Sequence, residues 1–161
     1  MENETLKWCF KLKDGLKILE PNERLAKSYL EQAKMSLGTA EKNFKNDDLL
    51  WATVVTYYSD YYALYSFLQR IGIKCENHHC SISAATYLLG EDKTSIINDH
   101  KNKRIDAQYY IKIGKQEEIK KMLNEAKKFV SFYDELTLNI IETEIQDFRR
   151  KLTKNNIIKI D

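Results

Sequence analysis

The stretch WATVVTYYSDYYALYSFLQRIGIKCENHHC, residues 51–80, decides how this chain folds. Its first part carries apolar and aromatic side chains around nearly the whole circumference of a predicted helix, and Gly72 then supplies a residue that commonly ends helices. A helix with apolar side chains all round is expected to be covered on two sides, by its own domain and by a second chain. The sequence therefore predicts a central helix that begins near Trp51 and ends at Gly72.

The polar segment after Gly72 holds most of the groups that could do chemistry near neutral pH. Its histidines and cysteines are Cys75, His78, His79 and Cys80. Thiolate and imidazole are ligands that zinc prefers, but a closed tetrahedral site usually joins two separated ligand pairs. The only distant candidates are Cys9 and His100. We therefore expect no metal and no cofactor, and interpret both cysteines of the segment as small, partly buried side chains.

Composition limits the class of protein. The 161 residues suit one domain, and five glycines and one proline favour long helices. Because 26 basic residues face 24 acidic ones, the net charge of +2 creates no strong field for nucleic acid or membrane. No apolar run approaches the roughly 20 residues of a membrane span. Three cysteines do not resemble a disulfide framework, and the N-terminus is acidic, so we expect reduced thiols and a cytoplasmic location.

Helical periodicity continues along the chain on both sides of the central stretch. The predicted elements are a helix of about 23 residues after Pro21, a turn at residues 46–48, the central helix, a short helix at 81–89, a helical stretch at 96–110 and a last helix at 115–152. The last helix would be roughly 55 Å long, so we expect a bend or a frayed end. The predicted fold is all-α: an antiparallel up-and-down four-helix bundle (21–152) with an extra short helix, an N-terminal arm (1–20) and a tail (153–161).

Residues 100–110 form the second segment of interest. If they are helical, His100, Arg104 and Gln108 share one face at four-residue spacing. An arginine presented in this way suits phosphate, which it can hold with two parallel hydrogen bonds. On the residues alone, a solvated face with Arg104 in a structural ion pair is the favoured alternative. Basic residues of the arm (Lys7, Lys11, Lys13 and Lys17) and of the C-terminal region (Arg149, Arg150, Lys151 and Lys154) could also touch RNA phosphates, although most such side chains are simply hydrated.

The order of these segments resembles the HEPN domain family, in particular its small stand-alone prokaryotic members. The matching motifs are DDLLWA (47–52), YYALY (61–65), GI (72–73), His78, the short apolar helix and RIDAQY (104–109), within residues 25–148. The resemblance implies an all-α up-and-down bundle and frequent homodimers. It also implies frequent pairing with a minimal nucleotidyltransferase in toxin–antitoxin-like or RNA-processing systems.

The resemblance also suggests a chemistry. Active HEPN proteins are metal-independent ribonucleases that use an arginine followed four to six residues later by a histidine, brought together across a dimer. This sequence departs from that pattern, because Arg104 has no histidine after it, Arg70 precedes His78 by eight positions, and His100 precedes Arg104. The resemblance therefore leaves catalysis open, with His78 and Arg104 as the candidate pair if a site is assembled in space.

Together with the residues, the resemblance implies a nucleotide- or RNA-associated binding module that is the partner of a minimal nucleotidyltransferase in a toxin–antitoxin-like system. Alternatives are a divergent metal-independent HEPN ribonuclease and a structural homodimeric interaction protein. We expect Arg104 to hold phosphate, His78 to carry a proton or donate a hydrogen bond, and Tyr109 to orient or stack a ligand. Further residues expected in the same site are Tyr62, Arg70 and Asp106.

Overall fold

The computed structural model describes residues 2–154. Within that range the chain forms seven α-helices, one 3-10 turn and two strands of two residues. In chain order these are α1 (Glu2–Lys11), β1 (Lys17–Ile18), α2 (Glu23–Lys45), α3 (Leu49–Arg70), β2 (Ile73–Lys74), α4 (His78–Leu89), the 3-10 turn (Glu91–Lys93), α5 (Ser95–Tyr110), α6 (Gln116–Asn139) and α7 (Glu142–Lys154). The predicted all-α fold is confirmed, whereas the up-and-down bundle order stays a prediction. Residues 155–161 of the predicted tail lie outside the described residues.

Helix α3 is the centre of the fold. It packs against α2, α5, α6 and α4, and most of its side chains are buried. Tyr57 and Ser66, which lie about 180° apart around the helix, are both fully buried. Elements of the same chain therefore cover α3 nearly all round, so its apolar circumference does not itself require the second chain that was expected to cover one side.

Helices α2 and α3 form a hairpin because the turn between them has the right capping chemistry. Asp47 adopts a left-handed conformation with φ of 60°, which aspartate tolerates better than most residues. The Asp48 carboxylate then accepts a hydrogen bond from the backbone N–H of Trp51 at 3.3 Å and caps α3. At the far end of the hairpin, the Asn22 side chain caps α2 by accepting from the N–H of Leu25 at 2.9 Å.

Gly72 ends α3 for a steric reason. Its φ is 79°, and a Cβ at this position would lie 2.4 Å from both the Leu19 carbonyl oxygen and Arg149 Nη1. The Arg149 guanidinium donates to the carbonyl oxygens of Leu19 and Ile71 at 2.7 and 2.8 Å. Arg149 therefore has a structural role and ties α7 to the end of α3.

The N-terminal arm is folded onto the domain. Its first part is the helix α1, whereas the sequence predicted only an arm without regular structure before Pro21. Leu6 and Cys9 of α1 are buried, and β1 pairs antiparallel with β2. Cys9 forms a disulfide with Cys80 of α4, with 5.6 Å between their Cα atoms. The expectation of reduced thiols is therefore wrong for two of the three cysteines; the packing of α1 on α4 joins residues 71 apart in sequence, which local spacing cannot indicate.

The long C-terminal helix is interrupted, as its length predicted. Ile140 has an extended backbone (φ −63°, ψ 131°), and the Glu144 carboxylate accepts from the N–H of Ile141 at 3.0 Å to start α7. Ile140 and Ile145 on either side of the break are buried. No helix among residues 2–154 is both long enough and apolar enough to cross a membrane.

The disulfide predicts a stability that depends on redox conditions. Closing a loop of this length restricts the unfolded chain and stabilises the folded one by about 2–4 kcal/mol. We expect a reductant to lower the melting temperature of the wild type and to leave that of a Cys9→Ala/Cys80→Ala variant unchanged, as measured by circular dichroism. A thiol assay on unreduced, denatured protein that finds three free thiols instead of one contradicts the pairing.

Candidate functional site

Arg104 of α5 lies in an aromatic environment. Its side chain is only 9% exposed, and its guanidinium carbon lies 4.9 Å from the ring centre of Tyr57 and 5.9 Å from those of Tyr58 and Tyr109. Nη1 donates to the Gln108 amide oxygen at 3.2 Å, one helical turn later. The aromatic faces hold the cation by their negative electrostatic potential, which fixes the guanidinium without neutralising it.

Arg104 lacks the counter-charge that a structural arginine usually has. It makes no ion pair with the described residues, and the buried Nε finds no hydrogen-bond partner among them. Lys101, three residues earlier on α5, adds a second cation; burial lowers the pKa of Lys101 and the charge of Arg104 lowers it further. The structural ion pair that the residues alone favoured is therefore absent within residues 2–154, and the local chemistry suits an anion.

His78 belongs to a helix and not to a loop. Asn77 caps α4 by accepting from the N–H of Cys80 at 3.2 Å, so His78 occupies the first turn. The imidazole ring stacks on Tyr61 of α3 with 3.7 Å between ring centres and 10° between planes. The expected short helix thus begins three residues before the predicted start at Ser81.

The protonation state of His78 follows from its surroundings. Burial and the charges of Arg104 and Lys101 lower the pKa of His78 to about 4, so the ring is neutral at pH 7. Its Nδ1 lies 2.8 Å from the Tyr57 hydroxyl, whose pKa is raised by burial. A neutral phenol can donate to Nδ1 or accept from it, so two ring tautomers satisfy this hydrogen bond: Nε2 carries the ring hydrogen in one and is free to accept a hydrogen in the other.

The structure brings His78 and Arg104 together through one shared residue. Tyr57 contacts the ring of His78 with its hydroxyl and the guanidinium of Arg104 with its face. Tyr109 joins this group: it is 65% exposed in the last turn of α5 and lies beside Arg104. We call Tyr57, Tyr58, His78, Arg104 and Tyr109 the arginine–aromatic cluster.

The remaining candidates lie at different distances from this cluster. Tyr62 is half-buried one turn after Tyr58, with ring centres 6.2 Å apart, and it extends the row of rings toward Tyr29. Asp106 is exposed about 200° around α5 from Arg104 and lines a separate cavity with Thr53 and Lys103. Arg70 follows Tyr57 by 13 residues on α3, a rise of about 20 Å, and its charge acts on Glu23 at the start of α2. Asp106 and Arg70 are therefore not part of the arginine–aromatic cluster.

The four residues considered for zinc are engaged in other ways. Cys80 is bonded to Cys9 and offers no thiolate, and the Cys75 thiol donates to the Asn77 carbonyl oxygen at 3.2 Å. Burial raises the pKa of Cys75. His79 is exposed and lies beside Trp8 of α1, 6.4 Å between ring centres.

A second group of ionisable residues lies one turn from Arg104 and includes two residues that the sequence did not indicate, Asp60 and Glu125. His100 Nδ1 donates to Asp60 Oδ2 at 2.5 Å, and His100 Nε2 lies 3.0 Å from Glu125 Oε2. Burial alone would lower the pKa of His100, but the hydrogen bonds and charges of the two carboxylates outweigh burial and raise it. Burial raises the pKa of Asp60 to about 6. A carboxyl group in the middle of an aromatic helix was the available signal for this network.

Comparison with known proteins identifies one family. The model of the HEPN domain matches residues 26–136, which is more than half of the chain and includes both His78 and Arg104. No curated protein and no solved structure matches the chain.

The lowered pKa of His78 predicts a pH-dependent stability. Between pH 6.5 and about 4 the unfolded chain binds a proton at His78 that the folded chain does not, so stability falls as the pH decreases through this window. One proton contributes at most about 1.4 kcal/mol per pH unit, and less here because the ring is partly exposed. Melting curves from pH 7 to 4.5 should show a smaller loss for His78→Gln than for the wild type. The matched control is His79→Gln, and equal losses for all three proteins would contradict the assignment.

Proposed function

This chain belongs to the HEPN domain family, and from that premise we propose that it is a nucleotide- or RNA-associated binding module whose phosphate site is Arg104. The observation that carries the proposal is a buried guanidinium without a counter-charge, held over Tyr57 with an unpartnered Nε. A buried donor without a partner costs about 1–3 kcal/mol, so a ligand oxygen that accepts from it gains that amount. An anion that accepts a hydrogen bond from Nε would therefore remove this cost and bind more tightly by the same free energy.

Phosphate fits this arrangement because its oxygens match the planar donors of the guanidinium. The guanidinium presents several N–H groups in a plane, and two of them can contact two phosphate oxygens at once. Gln108 accepts from Nη1, and Nε is the donor of this guanidinium that has no partner among the described residues. Lys101 adds positive charge, and in the tautomer in which Tyr57 donates to Nδ1, His78 can donate to the ligand from Nε2.

The base of a nucleotide has aromatic surfaces available next to the phosphate site. Tyr109 is 65% exposed and adjoins Arg104. Stacking of a base on an aromatic side chain contributes about 1–3 kcal/mol and is tolerant of sequence. A flexible single strand can place its phosphate on Arg104 and a base on Tyr109, whereas bases inside a duplex are not accessible for stacking.

The partner and assembly follow from the family resemblance and from an exposed apolar surface. We propose a homodimer and pairing with a minimal nucleotidyltransferase in a toxin–antitoxin-like system. In support, Tyr110 and Ile111 at the end of α5 are 65% and 67% exposed and adjoin the arginine–aromatic cluster. Contiguous exposed apolar residues are typical of protein contacts. The proposed location stays cytoplasmic, as the notion of an RNA-associated module suggests, but the Cys9–Cys80 disulfide removes the argument from reduced thiols.

A divergent metal-independent ribonuclease is the second candidate function. It is favoured by the shared contact of His78 and Arg104 with Tyr57, which places a proton-carrying group near a cation that can stabilise a phosphate transition state. It ranks second because the sequence lacks the spacing of active family members, in which a histidine follows the arginine: Arg104 has no histidine after it. Acceptance of a proton by His78 also requires the tautomer whose Nε2 carries no hydrogen.

Binding of labelled single-stranded RNA in EDTA tests the proposal. Arg104→Gln should weaken binding about 10–100-fold because a charged hydrogen-bonding group is lost. Tyr109→Ala should weaken it at least about fivefold through lost stacking. The matched control is Arg70→Gln, which removes an equal charge at the other end of α3 and should leave binding within about twofold.

The other outcomes of this experiment are equally informative. Equal losses for Arg104→Gln and Arg70→Gln would show nonspecific charge attraction and contradict the phosphate site. RNA cleavage that persists in EDTA and disappears in both His78→Ala and Arg104→Gln would contradict a pure binding module and support the ribonuclease. If the RNA stays intact and unbound, and size-exclusion chromatography with light scattering shows a dimer, the remaining hypothesis is a structural homodimeric interaction protein.

A further inference from the structure

We propose that Asp99, His100 and Glu125 form a binding site for one divalent transition-metal ion of the zinc class, at the junction of α5 and α6. One ligand atom from each of these three residues lies within 4.8 Å of the others. An imidazole nitrogen with two carboxylate oxygens is a ligand set that Zn²⁺ accepts in proteins. The inference concerns residues outside the arginine–aromatic cluster and does not rest on the proposed function.

The orientation of His100 is the strongest structural support for this site. Its Nδ1 donates to Asp60 of α3 at 2.5 Å, and the side chains of both residues are fully buried. This hydrogen bond directs Nε2 toward Glu125 of α6. A histidine whose second nitrogen donates to a carboxylate is the usual arrangement around protein-bound zinc, where it fixes the ring and raises the basicity of the ligand nitrogen.

The separation of two of the three ligand atoms is close to that of a coordinated pair. His100 Nε2 and Glu125 Oε2 lie 3.0 Å apart. Two ligands of a tetrahedral ion with bonds of about 2.0–2.1 Å lie about 3.3 Å apart. The ion would therefore fit beside the line between Nε2 and Oε2 after a shift of a few tenths of an ångström in the Glu125 side chain.

The third ligand and the path to solvent are on the outer side. The Asp99 side chain is 55% exposed and that of Glu125 is 23% exposed, so an ion can enter without opening the core. Lys103 pairs with Asp99 at 2.8 Å and Lys121 with Glu125 at 3.7 Å. Exposed ion pairs of this kind contribute about 0–1 kcal/mol, so both lysines can be displaced at small cost. Three protein ligands would leave the fourth position to water.

The competing occupant of the space between Nε2 and Glu125 is a proton, which would make His100 a purely structural imidazolium. Zinc binding distinguishes the two. The untagged full chain is titrated with Zn²⁺ against a chromophoric chelator, and with Co²⁺ while the visible absorption of tetrahedral cobalt is recorded. We expect one ion per chain and a Co²⁺ spectrum typical of nitrogen and oxygen ligands.

The variants are chosen so that folding does not confuse the result. Asp99→Asn changes an exposed side chain and should weaken Zn²⁺ binding at least about tenfold, as should Glu125→Gln. His100→Gln should abolish the cobalt spectrum, and circular dichroism checks that it is folded. Asp92→Asn is the matched control, because Asp92 is 70% exposed and also paired with a lysine, and His79→Gln controls for the exposed imidazole. Both controls should bind as the wild type does.

Two results would overturn the site. One is the absence of stoichiometric binding tighter than about 100 µM in the wild type. The other is binding that Asp99→Asn and Glu125→Gln leave unchanged, or that His79→Gln removes. In either case His100 is a protonated histidine held between two carboxylates.

Discussion

The buried hydrogen bond between His100 and Asp60 is the interaction on which the placement of the site depends. It joins α5 to the centre of α3 inside the domain, where both side chains are fully excluded from solvent. Removing one partner of such a pair leaves an uncompensated buried charge, which typically costs about 3–5 kcal/mol. The register between the two antiparallel helices is therefore fixed at this point. Arg104, one turn after His100, then lies over Tyr57, about one turn before Asp60.

The basic side chains of two neighbouring turns of α5 have opposite surroundings. His100 is surrounded by carboxylates, whereas Arg104 is surrounded by aromatic rings and has no carboxylate partner among residues 2–154. A domain selected only for stability would pair the guanidinium, since a buried donor without a partner is costly. Sites where local rules of stability are broken are commonly functional. This contrast is why the arginine–aromatic cluster, and not the general basic charge, supports phosphate binding.

The sequence predicted those parts of the structure that depend on local chemistry. The apolar circumference of α3, its end at Gly72, the interruption of the last helix and the shared face of His100 and Arg104 could all be read from spacing. Long-range pairings could not. The helix α1, the Cys9–Cys80 disulfide and the carboxylates on either side of His100 arise from packing between elements distant in sequence.

Two expected site residues also illustrate the limit of sequence proximity. Asp106 is two residues from Arg104, but a helix turns about 100° per residue, so it faces another side. Arg70 is eight residues from His78, but the chain reverses at Gly72 and α4 lies back along α3, which places His78 beside Tyr57 and Tyr61. In both cases three-dimensional direction, and not distance along the chain, decides which groups meet.

Side-chain NMR of the arginines is the most direct test of phosphate binding by Arg104. In ¹⁵N-labelled protein, the Nε–H signal of Arg104 can be followed while a short single-stranded oligoribonucleotide is added. The account predicts that this signal shifts and becomes protected from solvent exchange, with the His78 ring signals changing in parallel and the Arg70 signal unchanged. An Arg104 signal that stays constant while the exposed arginines shift would contradict a phosphate site in the arginine–aromatic cluster.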